Sequence, residues 1–283
     1  MNVDKILDGR KIAQSILDES ARKVTILRQE KGLAPCLATV LVGCDPASET
    51  YVRMKRKRCE EVGMISRPVE MDVTTSTAAL VRQIELLARD PAVNGILLQH
   101  PVPAQIDERA AFEAIPPEKD VDGVTATGLG RMWLGLPVFG SCTPAGVMHL
   151  LRAYEVDPTG LNAVVIGRSP ILGKPMAAML LHSNATVTIV HSRTNGIADL
   201  IRQADLVVAG VGRANFVQGD WIKPGAVVVD AGYNAGNVGD VDYAGAFPRV
   251  RLITPVPGGV GPMTIATLIA QTADAALRQH GLA

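Results

Sequence analysis

Lys55 stands where an apolar side chain is expected. Read as a helix, residues 48–62 (SETYVRMKRKRCEEV) put Val52, Lys55, Cys59 and Val62 on one inward stripe. Tyr51 lies one turn before Lys55, so the two side chains are neighbours. Burial among cations disfavours an ammonium through desolvation and like charge, and such a lysine can serve as a general base or acid near neutral pH. The plainer reading is a lysine whose stem is covered while its ammonium reaches water. For Arg53, Arg56, Lys57 and Arg58 a solvated outer face is the reading adopted. Gln99 ends the apolar run VNGILL just before Pro101 and Pro103. Ligands bind at the carboxyl edge of a parallel sheet, and helix 48–62 follows a strand that ends there at Gly43, so Lys55 and Gln99 can meet. Asp122, in Lys119-Asp120-Val121-Asp122-Gly123, is either part of a plain turn or a carboxylate able to accept bonds from an amino-substituted heterocycle.

A second constellation is AVVIGRSPILGKPMAAMLL, residues 163–181. A buried strand ends at Gly167 and a helix begins near Gly173–Pro175, because proline is tolerated in a first helical turn. Gly167 allows a tight turn, and the helix start offers free N–H groups to a phosphate. The spacing is not a strict GxGxxG. NAD-binding folds carry an Asp or Glu near the end of the next strand for the ribose 2′-hydroxyl. Here TVTIV is followed by His191-Ser192-Arg193-Thr194, with no carboxylate. Ser192 and Arg193, with Arg168 from the first turn, suit a 2′-phosphate and so favour NADP over NAD. Taken alone, Arg193 is an ordinary loop arginine. The loops GVGR (210–213) and DAGYN (230–234) follow the next two strands and are expected at the nicotinamide end.

Positioning these residues takes alternating strands and helices. Residues 36–42, 93–98, 163–166, 186–190, 205–209 and 226–230 read as buried strands whose near-continuous apolar character suits parallel sheets. Amphipathic stretches lie at about 5–30, 48–62, 77–89, 107–114, 144–154, 174–182 and 197–203. The pattern predicts two α/β domains, the C-terminal one a Rossmann-like parallel sheet. Residues 1–122 and 123–283 form the two, divided near PPEKDVDG, and a last helix, about 263–283, starts after Pro262 and packs back on the first domain. TPVPGGVGP (254–262) is too rich in proline and glycine for regular structure.

Composition narrows the classes. The 283 residues are 47% hydrophobic and 20% charged, which excludes a disordered chain. Lys plus Arg equals Asp plus Glu at 28 each, against a nucleic-acid partner or a polybasic membrane surface. No run of about 18 apolar residues exists for a membrane span. The start, MNVDKILDGRKIAQ, has no apolar signal core, and the four cysteines show no CxxC spacing. A cytoplasmic protein with free thiols and no metal site is expected.

Together the segments DPASETYVRMK (45–55), LLQHPVP (97–103), PEKDVDG (117–123), CTPAG (142–146), GRSPILGKP (167–175), VHSRT (190–194), KPGAVVVDAGYN (223–234) and TPVPGGVGPMT (254–264) resemble the bifunctional methylenetetrahydrofolate dehydrogenase/methenyltetrahydrofolate cyclohydrolase family. The resemblance implies a homodimer whose two α/β domains flank a cleft, with folate in the N-terminal half and NADP on the C-terminal half. It implies oxidation of 5,10-methylenetetrahydrofolate by NADP⁺, then hydrolysis of the 5,10-methenyl cation to 10-formyltetrahydrofolate. By the same resemblance Lys55 is the catalytic lysine, Gln99 its hydrogen-bonding modulator, Tyr51 a packing surface for the folate and Asp122 the holder of the pterin. Gly167, Arg168, Ser169, Ser192 and the Tyr233 region bind the dinucleotide, and the loop 258–261, with Gly259, and Pro262 border the folate.

The sequence departs from the family pattern in places. His100 stands where leucine is usual, Ser141 where proline is common, and Tyr233 where an aliphatic residue is frequent; GVTATGLG (123–130) also differs. If its imidazole reaches the Lys55–Gln99 pair, His100 would tune the cyclohydrolase; the plainer reading is a histidine that faces solvent. One rival reading is a dehydrogenase with weak or absent cyclohydrolase activity, which would be marked by loss of Lys55 or Gln99. The other is a non-catalytic NADP-binding module, for which a lysine in an apolar stripe is a costly placement.

Overall fold

The apolar runs become two all-parallel sheets. The computed structural model describes residues 5–43 and 46–282, with the side chains of 46–51 outside that description. The chain divides into two compact units, one of residues 15–140 with 265–283 and one of residues 1–14 with 141–264. Residues 123–140 thus group with the N-terminal sheet, and the division falls inside the first and last helices.

The chain enters through α1 (Gly9–Lys31), whose start is held by Asp8 accepting from the N–H groups of Arg10 and Lys11. Then come β1 (Cys36–Val42), α2 (Pro46–Glu61), β2 (Ile65–Met71), α3 (Thr77–Arg89), β3 (Gly95–Leu98), α4 (Glu108–Glu113) and α5 (Ala126–Trp133). The sheet order is β2-β1-β3, and every residue of the central strand β1 is buried. β2 has no counterpart among the predicted strands. ISRPVEM lies at the sheet edge, exposed or half-buried throughout, so it carries charge and tolerates Pro68 without an apolar run to announce it. Ser76 caps α3, which buries Leu80, Ile84 and Leu87 at helical spacing. α5 is also absent from the sequence reading, because ATGLGRMW holds two glycines. Its start is built by side chains: Thr125 accepts from Gly128 N, and Asp120 accepts from the N–H groups of Val124 and Thr125.

The other unit runs α6 (Cys142–Ala153), β4 (Asn162–Ile166), α7 (Gly173–His182), β5 (Thr186–Val190), α8 (Ile197–Arg202), β6 (Leu206–Ala209), β7 (Val227–Asp230), α9 (Tyr243–Ala246), β8 (Leu252–Ile253) and α10 (Val260–Gln279). Its strand order is β5-β4-β6-β7-β8. The order reverses between β4 and β6, and in open parallel sheets a ligand binds at the carboxyl ends beside that reversal. α10 starts at Val260, earlier than predicted, with Pro262 in its first turn, where the missing N–H costs nothing.

Candidate active site

In the β2-β1-β3 unit, Lys55 on α2 donates from Nζ to Oε1 of Gln99 at 3.0 Å. Gln99 follows β3, is 8% exposed, and its N–H is tied to Val40 O on β1. Its amide nitrogen donates to His100 O at 2.9 Å, so the oxygen is the end left for Lys55. On the predicted stripe Cys59 and Val62 are buried, while Val52 and Lys55 are half-buried. Tyr51 lies on α2 one turn before Lys55, and its side chain falls outside the described residues. The cations beyond Lys55 point outward to acid partners: Arg56 to Glu60 at 2.8 Å, and Lys57 and Arg58 to Glu61 at 3.8 and 2.6 Å. The His100 ring packs edge-on against Phe112, centroids 6.1 Å apart. Its link to the pair is through its carbonyl.

Asp122 is presented by a segment clamped on both sides. The buried Lys119 donates to Asp90 O at 2.7 Å beyond the end of α3, and its carbonyl accepts from Ile96 N of β3 at 2.9 Å. Asp120 is turned inward to the start of α5, and burial raises its pKa. Gln271 of α10 donates to Val121 O at 2.8 Å. Asp122 itself is half-buried, and among the described residues its carboxylate accepts no hydrogen bond. Its accepting capacity is open.

In the β4–β8 unit the turn after β4 leaves no room for side chains. Gly167 has φ +119°, and a Cβ there would come within 2.8 Å of Gly210 O; one on Gly173 would lie 2.2 Å from Gly167 O. The start of α7 differs from expectation. Oγ of Ser169 accepts from the N–H groups of Leu172 and Gly173 at 3.1 and 3.4 Å, and its carbonyl accepts from Lys174 N at 3.0 Å. Donors expected to be free for a phosphate are thus committed to Ser169, which keeps its hydroxyl proton to offer. Gly167 N donates to Val190 O at 2.9 Å, bringing the ends of β4 and β5 to one edge. There Arg168, Ser192 and Arg193 are all exposed. Residues 191–194 form a tight turn in which His191 N–H donates to Thr194 Oγ1 and His191 Nδ1 accepts from Arg193 N. Exposed guanidinium groups, a hydroxyl and no carboxylate in that turn fit a 2′-phosphorylated dinucleotide.

Tyr233, 55% exposed, follows β7 and donates to Asn237 Oδ1 at 2.6 Å. Gly259 is buried against the start of α1, where a Cβ on Gly9 would collide with its carbonyl oxygen. Pro262 is half-buried in the first turn of α10. A depression of about 520 Å³ lined by Met148, Arg152 and Asn184 lies beside the amino ends of β4 and β5, the wrong edge for this chemistry. Two buried carboxylates organise the loops after β6 and β7: Asp230, which opens the DAGYN loop noted in the sequence, and Asp240, which the sequence reading missed. Their signal was an aspartate closing the run VVVD and another after glycine in GD.

Comparison with known proteins agrees with these two assemblies. Residues 7–122 match the tetrahydrofolate dehydrogenase/cyclohydrolase catalytic domain, and residues 141–280 match the NAD(P)-binding domain of the same enzymes. The chain is 58% identical to the bifunctional protein FolD 1 of Streptomyces avermitilis over 278 residues, covering 98% of this chain and 97% of that one. It is similar to the crystal structure of the Campylobacter jejuni methylenetetrahydrofolate dehydrogenase/cyclohydrolase, with TM-score 0.94, 43% identity, and 96% and 98% of the two chains covered. The Trypanosoma brucei enzyme, solved with NADP and an inhibitor, aligns with TM-score 0.93 and 38% identity over 96% and 97% of the two chains.

Proposed function

The chain belongs to the tetrahydrofolate dehydrogenase/cyclohydrolase family, and from that membership we propose how its residues divide the work. The enzyme oxidises 5,10-methylenetetrahydrofolate to the 5,10-methenyl cation with NADP⁺ and hydrolyses that cation to 10-formyltetrahydrofolate. Bound NADP⁺ supplies the hydride acceptor. The turn at Gly167 admits the dinucleotide backbone, Ser169 offers its hydroxyl proton, and Arg168, Ser192 and Arg193 meet the 2′-phosphate. Tyr233 belongs to the loop at the nicotinamide end.

Lys55 is the base of the hydration. As water adds to the methenyl carbon, one of its protons passes to Lys55 Nζ. The hydroxyl of the adduct then gives up its remaining proton to become the formyl C=O while the bond from that carbon to N5 breaks, N5 takes a proton in exchange, and the formyl group stays on N10. Gln99 holds the amine in place through its oxygen. The open carboxylate of Asp122 accepts from the amino-pyrimidine edge of the pterin, Tyr51 packs on the folate, and Gly259 and Pro262 border it. The observation that carries this reading is the 3.0 Å bond from Lys55 to a Gln99 amide already fixed at its other end.

The enzyme works as a cytoplasmic homodimer. Among the described residues Cys36, Cys59 and Cys142 are buried and form no disulfide, which suits a reducing compartment, and no helix is long and apolar enough to cross a membrane. Supplying methylenetetrahydrofolate and NADP⁺ while following NADPH and the methenyl chromophore tests the whole reading. NADPH should rise while the chromophore forms and then decays; a chromophore that persists would remove the cyclohydrolase.

A further inference from the structure

Asp240 is wholly buried at the carboxyl edge of the β4–β8 sheet. Its carboxylate accepts three successive main-chain N–H groups of the loop after β6: Val211 at 2.5 Å, Gly212 at 2.9 Å and Arg213 at 2.8 Å. A fourth bond comes from Asn234 Nδ2, in the loop after β7, at 3.0 Å. One anion in a backbone nest thus ties two loops that leave adjacent strands. Gly232 passes so close that a Cβ there would sit 2.2 Å from the Asp240 carboxyl carbon. Beneath it, Asp230 accepts from the N–H groups of Asp240 and Val241 at 3.0 and 2.8 Å. Among the described residues no lysine or arginine pairs with either carboxylate; the Arg213 guanidinium is stacked on Phe216 instead, at 4.7 Å. The main-chain dipoles solvate the charge without cancelling it.

We propose that Asp240 is a positioning residue for the nicotinamide end of the cofactor site, and that its uncompensated charge makes the site favour the oxidised cofactor over the reduced one. The inference rests on the reading that the loops 210–213 and 230–234 face the nicotinamide. The ring is cationic in NADP⁺ and neutral in NADPH, so a fixed negative charge below those loops attracts one form only. An uncharged side chain of the same shape would disturb the loops for both forms and remove the attraction for one.

The test is titration of the full-length protein with NADP⁺ and with NADPH, alongside cyclohydrolase activity on preformed methenyltetrahydrofolate, a reaction that needs no hydride acceptor. In Asp240→Asn, NADP⁺ should bind at least tenfold more weakly and NADPH no more than about threefold more weakly. Cyclohydrolase activity should stay within about twofold of wild type. Unchanged NADP⁺ affinity, equal weakening of both forms, or a parallel fall in cyclohydrolase activity would overturn the proposal. Asn234→Ala keeps the charge and removes one tie, and serves should Asp240→Asn fail to fold. It should weaken both forms alike, by about two- to fivefold, and an unchanged affinity or an altered ratio of the two forms would count against the proposal. Wild-type protein that fails to bind NADP⁺ would remove the underlying cofactor reading instead.

Discussion

A glutamine amide has two ends, and at Gln99 each has its own partner: the nitrogen donates to His100 O and the oxygen accepts from Lys55. That leaves the His100 ring, packed on Phe112, outside the pair. His100→Leu should therefore give a cyclohydrolase pH–rate profile that superimposes on wild type. A displaced limb in the variant would restore the imidazole to the mechanism. On the proposed 2′-phosphate assignment, Arg168→Ala removes a charge-assisted contact worth ~1.5–3 kcal/mol, so NADP⁺ should weaken by about ten- to a hundredfold. NAD⁺, which lacks the 2′-phosphate, should change little, and equal losses for the two cofactors would contradict the assignment. Residue types and spacing predicted that Lys55 and Gln99 meet, and the structure brings them together. The inward Asp120, the clamp by Lys119 and the Ser169 cap were not legible in the sequence, because each acts on main chain that only the folded loops bring near.

Among the elements, helices with a strong apolar period were readable almost to their ends, as with α3, predicted and found at 77–89. β2 was missed because an edge strand is not selected for burial, and α5 because its cap, rather than its propensity, makes it a helix. The turn joining β4 to α7 was legible from Gly167 and Gly173, and the structure adds why glycine is needed there. A methyl group on Gly173 meets the Gly167 carbonyl 2.2 Å away, main chain that cannot step aside. Gly173→Ala should thus weaken NADP⁺ at least tenfold and lower the unfolding midpoint, within the ~1–3 kcal/mol typical of overpacking. Preserved NADP⁺ affinity in that variant would show that the turn is not the cofactor's seat.

For the molecule as a whole, the testable property is how stability follows pH. Burial, with the nearby Asp240 charge, pushes the Asp230 pKa up from 3.8 to about 6 against three main-chain N–H donors. The folded protein then holds this proton more tightly than the unfolded chain, so Asp230 contributes most below its unfolded pKa. That contribution is lost as pH rises from about 4 to 6, then stays level, a change of about 3 kcal/mol. Asp72, Asp90, Asp157 and Asp205, whose pKa values are lowered by hydrogen bonds and, at Asp90 and Asp205, by basic partners, act in the opposite sense: their stabilisation fades as pH falls below their unfolded values. The difference in unfolding free energy between wild type and Asp230→Asn isolates the first effect. It should shift against wild type between pH 4 and pH 6.5 in urea titrations, and a difference independent of pH would place Asp230 at an ordinary carboxylate pKa.

Lys55→Met keeps the length and apolar stem of the side chain and removes the amine. Assayed on preformed methenyltetrahydrofolate, it should hydrolyse the cation at least about a hundredfold more slowly, within the ~10²–10⁴-fold range of a positioned base. NADP⁺ affinity should stay near wild type, since Arg168, Ser192 and Arg193 belong to the β4–β8 unit, and Lys55→Arg should not recover hydration because a guanidinium stays protonated. A Lys55→Met enzyme that hydrolyses methenyltetrahydrofolate at close to the wild-type rate would contradict Lys55 as the base.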